Sequence, residues 1–318
     1  MLLLWLTYSI AATDQSTRQV GGAGTTCAQA YFSVYDIFGA APGHGVVHVQ
    51  GLIFSRGRMR AAELLGMDVA PRDILAEVAT QSFDESWRYK QYGIVDLEGR
   101  AAGYSGVDLE DFAADRQGQT GAYTYSVQGN ILTGAAVLDQ AAAAFTQTGC
   151  DLADKLMLAL VAGAQNGQGD SRCTPMGYPS DSAFLEVDRA GEPAGSYLQL
   201  VVDQNPPADA IGPLRSMYDA WRRDHPCPPG SIPDAGVDAE PPAPDAAPTL
   251  PDTGAEGPGA MAPPAAGCGC SVGHSTKASQ LLVILMVLLY YARRWRMSRR
   301  RSRIGSPSIW VRTPPKTP

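Results

Sequence analysis

Thr7 is the sharpest candidate for chemistry in this chain of 318 residues. It heads a strand-like run, Thr7 to Ala12 (TYSIAA), directly after the short apolar segment Met1 to Leu6. If processing removes that segment, the Thr7 hydroxyl becomes a nucleophile whose own α-amine can act as base. The same residue also reads as an ordinary β-branched strand residue. Asn130 follows Gly129 in a turn signal at a strand end. Its amide could donate into an oxyanion hole, or it could simply form the turn. Asp170 and Arg172 could pair and orient a substrate, or make a surface ion pair. Cys27 has no base in a readable register, so a structural thiol or disulfide is preferred. His44 and His48 stand four apart in a loop-to-strand region. That spacing does not put them on one face, so no metal site is expected. No phosphate loop or nucleotide fingerprint is present, and no cofactor is expected.

Strands and helices must position these groups. Period-two alternation marks strands at Thr7–Ala12, Tyr31–Phe38, Val46–Val49, Tyr92–Asp96, Ala101–Ser105, Tyr123–Gln128, Ala183–Val187 and Tyr197–Val202. Helical spacing covers Arg58–Leu65, Arg72–Val78, Ala135–Thr146, Leu152–Ala164 and Leu214–Arg223. Pro71 suits a helix start, and Asp151 suits a helix cap. This order predicts one α+β layered domain over 7–227.

Composition divides the rest. Residues 228–267 contain 11 prolines and no aromatic side chain, which predicts an extended, disordered spacer. Lys277 to Pro318 carry ten basic and no acidic residues, leaving 15 basic against 32 acidic upstream, a net of −17. A body this acidic argues against a nucleic acid partner. Four of the six cysteines, Cys27, Cys150, Cys173 and Cys227, could form disulfides in an exported body. Four cysteines allow three pairings; Cys150–Cys173 is favoured, because a helix between them could return the chain, with free buried thiols as the alternative.

The C-terminal part reads as membrane-directed. Cys268 and Cys270 precede an uncharged run: Leu281, Leu282, Val283, Ile284, Leu285, Met286, Val287, Leu288, Leu289, Tyr290, Tyr291 and Ala292. Arg293, Arg294, Arg296, Arg299, Arg300, Arg301 and Arg303 follow. The strict run of 12 is short against the roughly 20 residues of a spanning helix. The arginines fit a cytoplasmic stop. A short transmembrane anchor over 268–303 is therefore expected, with the body outside and 304–318 as a cytoplasmic tail. Leu250 to Gly254 (LPDTG) fits a sortase pattern, but it stands far upstream of the apolar run and is read as coincidence.

Several blocks resemble the family called domain of unknown function 1028. The strongest is Tyr125 to Gly134 (YSVQGNILTG). Thr7-Tyr8-Ser9-Ile10, Tyr92 to Asp96 with Gly99-Arg100, and Gly169 to Arg172 support it in order. The resemblance implies an N-terminal-nucleophile-hydrolase-like fold, two sheets between helix layers, without an assigned reaction. The tail resembles the MYXO-CTERM sorting signal, although Ile304 to Pro318 continue past its usual end. That resemblance implies a sorting peptidase acting at Cys268 and Cys270, with the membrane as partner. Residues 1–6 could open the first strand, but with an exported chain they read as the remnant of a signal peptide. Two functions follow: an exported surface hydrolase of an amide-like bond, or a non-catalytic binding module on the same fold.

Overall fold

The structure, a computed structural model, describes residues 7–27, 33–52, 55–147 and 149–227. The chain divides into two units, Met1–Pro241 and Pro242–Pro318, and every described residue falls in the first. The spacer, the Cys268/Cys270 motif, the apolar run and the arginine cluster lie outside the described residues. Among the described residues, no helix is long and apolar enough to cross a membrane.

Among the described residues, ten strands build two antiparallel sheets. The larger combines β1 (Thr7–Asp14), β2 (Gln19–Thr26), β7 (Phe112–Thr120), β8 (Tyr123–Leu132), β9 (Ser182–Arg189) and β10 (Leu198–Asp203), in the order β10-β9-β2-β1-β8-β7. The smaller combines β3 (Phe38–Ala41), β4 (Gly45–Gly51), β5 (Lys90–Asp96) and β6 (Ala101–Ser105), in chain order. The helices are α1 (Ser55–Leu65), α2 (Pro71–Val78), α3 (Ala136–Thr146), α4 (Leu152–Gly163) and α5 (Ile211–Asp224). The mixed α+β expectation holds.

Alternation in β1 explains the layering. Tyr8, Ile10 and Ala12 point one way and pack with Leu138 and Phe145 of α3, Leu156 and Leu160 of α4, and Tyr218 of α5. Ala11 points the other way and joins Val20 and Phe184 against Val46 and Val95 of the smaller sheet. The outer face of that sheet, Val47, Val49, Tyr92 and Ile94, is covered by Leu65 of α1 and by Ile74 and Val78 of α2. Helices, sheet, sheet and helices therefore form four layers, with β1 central in the larger sheet. The sheets approach closely at Gly22, where an added Cβ would collide with the His48 ring.

Two expectations are corrected, and strand β7 was not anticipated. Tyr31–Phe38 is not one strand. Val34–Ile37 forms a 3₁₀ turn, opened by Ser33, whose hydroxyl accepts from the Tyr35 N–H. The buried residues are Val34 and Ile37, three apart, which is the 3₁₀ repeat and not the strand repeat. Strand β7 gives little alternating signal because it is an edge strand with partly exposed residues throughout. The disulfides are Cys27–Cys173 and Cys150–Cys227, not Cys150–Cys173. Cys150 stands just before α4 and meets Cys227 just after α5, while Cys173 lies at the head of the sandwich with Cys27, so the chain after α4 leads to a different corner and does not return to Cys150.

Candidate functional site

The end of the sandwich where β1 begins collects the polar groups. Thr7 pairs with Thr26, and Tyr8 pairs with Gly129 on the other side, so Asn130 stands alongside the head of β1. The ladder alternates. The Gln15 N–H donates to the Ala122 carbonyl on the β8 side at 3.0 Å. Counting back in twos from Gln15, the backbone of Thr7 also turns toward β8. Thr7 therefore opens the first strand, as expected, with its nitrogen directed at the strand that carries Asn130.

Beside it, residues 169–173 are fastened across the end of β8. The Thr133 N–H donates to the Gly169 carbonyl, and the Ser171 N–H to the Ile131 carbonyl, both at 3.0 Å. This brings Asp170 to the head of β1. The Asp170 carboxylate accepts from the Cys27 N–H at 2.9 Å and from Arg172 through Nε at 3.0 Å and Nη2 at 2.7 Å. The guanidinium also donates to the Thr26 hydroxyl at 3.3 Å. The pair is thus formed, but Asp170 is 1 % exposed, so this is no surface ion pair. The Cys27–Cys173 disulfide clamps the same corner and removes Cys27 as a nucleophile.

Asn130 does not stand in a turn at Gly129-Asn130, as expected, but inside β8, where it is fully buried and enters a network that the sequence does not reveal. Gln91 donates through Nε2 to the carbonyls of Gly129 (2.9 Å) and Ala114 (3.0 Å). Carbonyls accept only, so this fixes which end of the Gln91 amide is nitrogen. Its Oε1 then accepts from Gln50 Nε2 at 2.6 Å and from Asn130 Nδ2 at 2.9 Å. Gln50 Oε1 accepts from the Ser9 hydroxyl, to which Gln128 donates, each at 2.8 Å. The Asn130 donor is thus engaged by Gln91, and among the described residues its Oδ1 has no partner. The oxyanion expectation assigned Asn130 by its donor; the atom left open is the acceptor. The only sequence hint of this network was Gln, Ser and Asn at inward positions of otherwise apolar strands, a pattern that also fits loops and turns.

Lys90 was likewise missed. It is 2 % exposed, donates to the Leu52 carbonyl, and lies 3.3 Å from the Asp84 carboxylate. Burial pushes its amine below the ordinary lysine range. It lines a cavity of about 630 Å³ with Arg56, Phe83 and Asp84.

The histidines do not converge: His44 meets the Asp68 carboxylate at 2.8 Å, while His48 is buried between the sheets. Among the described residues, the groupings with metal-binding side chains are Cys27, Cys173 and Asp181, and Cys150, Asp154 and Cys227. In both, the sulfurs are already joined in disulfides.

The model of a family of unknown function, DUF1028, matches residues 7–212, well over half of the chain. The chain belongs to this family. The match spans all ten strands and opens at Thr7. A crystal structure of a DUF1028 protein from Silicibacter pomeroyi is similar, with a TM-score of 0.55 and 25% sequence identity. The similarity covers 68% of this chain and 89% of that one. No curated protein matches the chain. The DUF1028 match carries no reaction, so the chemistry must be argued from the site.

Proposed function

We propose that this DUF1028 protein is an exported, membrane-anchored surface hydrolase of the N-terminal-nucleophile type, acting on an amide or related bond. Thr7 is its nucleophile once residues 1–6 are removed, and the Thr7 α-amine is the base. The observation that carries this reading is the position of Thr7. It heads the central strand of the larger sheet, with its nitrogen toward β8, beside the buried Asp170–Arg172 pair. The four-layer arrangement supports the same reading, since it is the architecture expected of that class.

Two disulfides support export, because such bonds persist in oxidising compartments. The tail reading rests on sequence: Cys268 and Cys270 as the processing motif for a sorting peptidase, Leu281–Ala292 as the membrane segment, and the following arginines as the cytoplasmic stop. A second reading, a binding module without catalysis, is favoured by the cavity over Lys90, which needs no nucleophile to hold a ligand.

The test is N-terminal sequencing of the protein isolated from an exporting host. A mature chain beginning at Thr7 is the expected result. A chain beginning elsewhere removes the α-amine base and leaves the binding module. Fractionation of the full chain and of a variant lacking 268–303 checks the anchor: the full chain should sediment with membranes, and equal solubility of the two would overturn it.

A further inference from the structure

We propose that Asn130 holds the α-ammonium group of a chain beginning at Thr7 through its Oδ1, with Gln91 fixing the amide in that orientation. This rests on the proposed processing at Thr7 and adds the residue that positions the base.

Three observations meet at one atom. The first is orientation. The carbonyls of Gly129 and Ala114 fix the Gln91 amide, and its Oε1 demands a donor, so Asn130 must present Nδ2 to it. A flip of the Asn130 amide would set two oxygens against each other. Oδ1 is thereby committed to the opposite side.

The second is that Oδ1 is buried in a residue with no exposed surface and has no partner among the described residues. A buried amide oxygen without a hydrogen bond carries a free-energy cost, because it has given up water and gained nothing. An N–H or ammonium donor delivered to this spot recovers that cost.

The third is what the backbone delivers. Asn130 follows Gly129, which pairs with Tyr8, and the Thr7 nitrogen turns toward β8. Within a continuous chain that nitrogen carries a single N–H, the one the ladder uses. After cleavage it is an ammonium with three. One can stay in the ladder with the Asn130 main chain, leaving others for Oδ1. Asn130 is therefore a positioning residue: it directs the amine lone pair when the proton leaves, and it makes no contact with the reacting carbonyl.

The consequence is a linked titration, measurable without a substrate. The experiment uses the processed protein, isotopically labelled, with the α-amine followed by nitrogen NMR and the Asn130 side-chain amide assigned by its loss in N130A. As pH is raised through the α-amine midpoint, near 8 for an ordinary terminus, the Asn130 amide signal should shift with the same midpoint. Asn130→Asp should raise the α-amine midpoint by about one unit, because a carboxylate favours the charged amine. Asn130→Ala should lower it. An Asn130 amide that stays fixed through the amine titration overturns the proposal, and that measurement needs no variant to fold beyond the one used for assignment. A mature chain that does not begin at Thr7 overturns the hydrolase reading together with this one. A chain that does begin at Thr7 but shows no coupling removes only the role of Asn130.

Discussion

At the scale of single residues, the interior between the sheets is chemically divided. Near the head of β1 it is a chain of amides and hydroxyls; further along it is aromatic. His48 stands in the aromatic part, with the rings of Phe38 and Phe184 at 5.7 Å and 5.6 Å. Neither of its nitrogens has a partner among the described residues. Burial lowers its pKa to about 3, against 6.5 for an ordinary imidazole. The sign follows from proton binding. Above pH 6.5 both folded and unfolded chains hold a neutral ring, and there is no dependence. Between 6.5 and 3 the unfolded chain binds a proton that the folded chain refuses, so stability falls as the pH drops, by roughly 1.4 kcal/mol per unit. At pH 5 the loss is about 2 kcal/mol relative to pH 8. Urea unfolding at both pH values, on the protein and on His48→Leu, should show this part of the acid loss disappear in the variant. The same acid slope in both would mean that His48 is hydrated or bonded in solution.

At the scale of elements, the junction of α4 with α5 is held by one aspartate. Asp151 caps α4 by accepting from the Asp154 N–H at 3.0 Å. It also receives both terminal nitrogens of Arg222 from the last turn of α5, at 2.9 Å and 2.6 Å. A cap is worth about 1 kcal/mol, and a two-pronged charged hydrogen bond adds to it. Asp151→Ala should therefore cost about 2 kcal/mol, and a double-mutant cycle with Arg222→Met should return a coupling of about 1 kcal/mol. Independent effects of the two substitutions would show that the ion pair adds nothing beyond the cap. The cap was legible in the sequence because it is local: Asp151 stands one residue before an apolar helical run. Its partner Arg222, 71 positions away, was not. The same contrast runs through the fold. Most strands and all five helices carry their own periodicity, within a turn of their observed bounds. Val34–Ile37 misled because it stands inside a longer run, Tyr31–Phe38, whose polar and apolar side chains alternate. Strand β2 gave little signal because three of its eight residues are glycine, and the space above one of them, Gly22, belongs to His48 of the opposite sheet, which no local pattern announces. The candidate site divides likewise. Thr7, Asp170 and Arg172 were visible as residue types in motifs, whereas Gln50, Gln91 and Lys90 gain their meaning only from strands that pair across the chain.

At the scale of the whole molecule, the two disulfides differ in what surrounds them. Cys27–Cys173 closes a separation of 146 positions, is wholly buried, and fastens the corner that holds Asp170 to the head of β1. Cys150–Cys227 closes 77 positions and joins the start of α4 to the chain just after α5. Cross-linking the unfolded chain over such distances is worth about 5 kcal/mol for the longer loop and slightly less for the shorter in the chain-entropy model, and measured losses run at 2–5 kcal/mol. The two bonds are therefore similar in their effect on the unfolded state, and accessibility separates them. A thiolate must reach a sulfur to open the bond, and Cys227 is only half-buried while Cys27 and Cys173 are sealed. Mild reduction of the folded protein, followed by alkylation and mass spectrometry, should label Cys150 and Cys227 first. Label should enter Cys27 and Cys173 only at denaturant concentrations that unfold the sandwich. Replacing Cys27 and Cys173 together by alanine should lower stability by roughly 2–5 kcal/mol and loosen the Asp170 corner, read as faster amide exchange at Cys27, whose N–H that carboxylate receives. Equal labelling of all four cysteines in the native state would mean that the corner opens without global unfolding, and a rigid setting for the head of β1 would have to be given up.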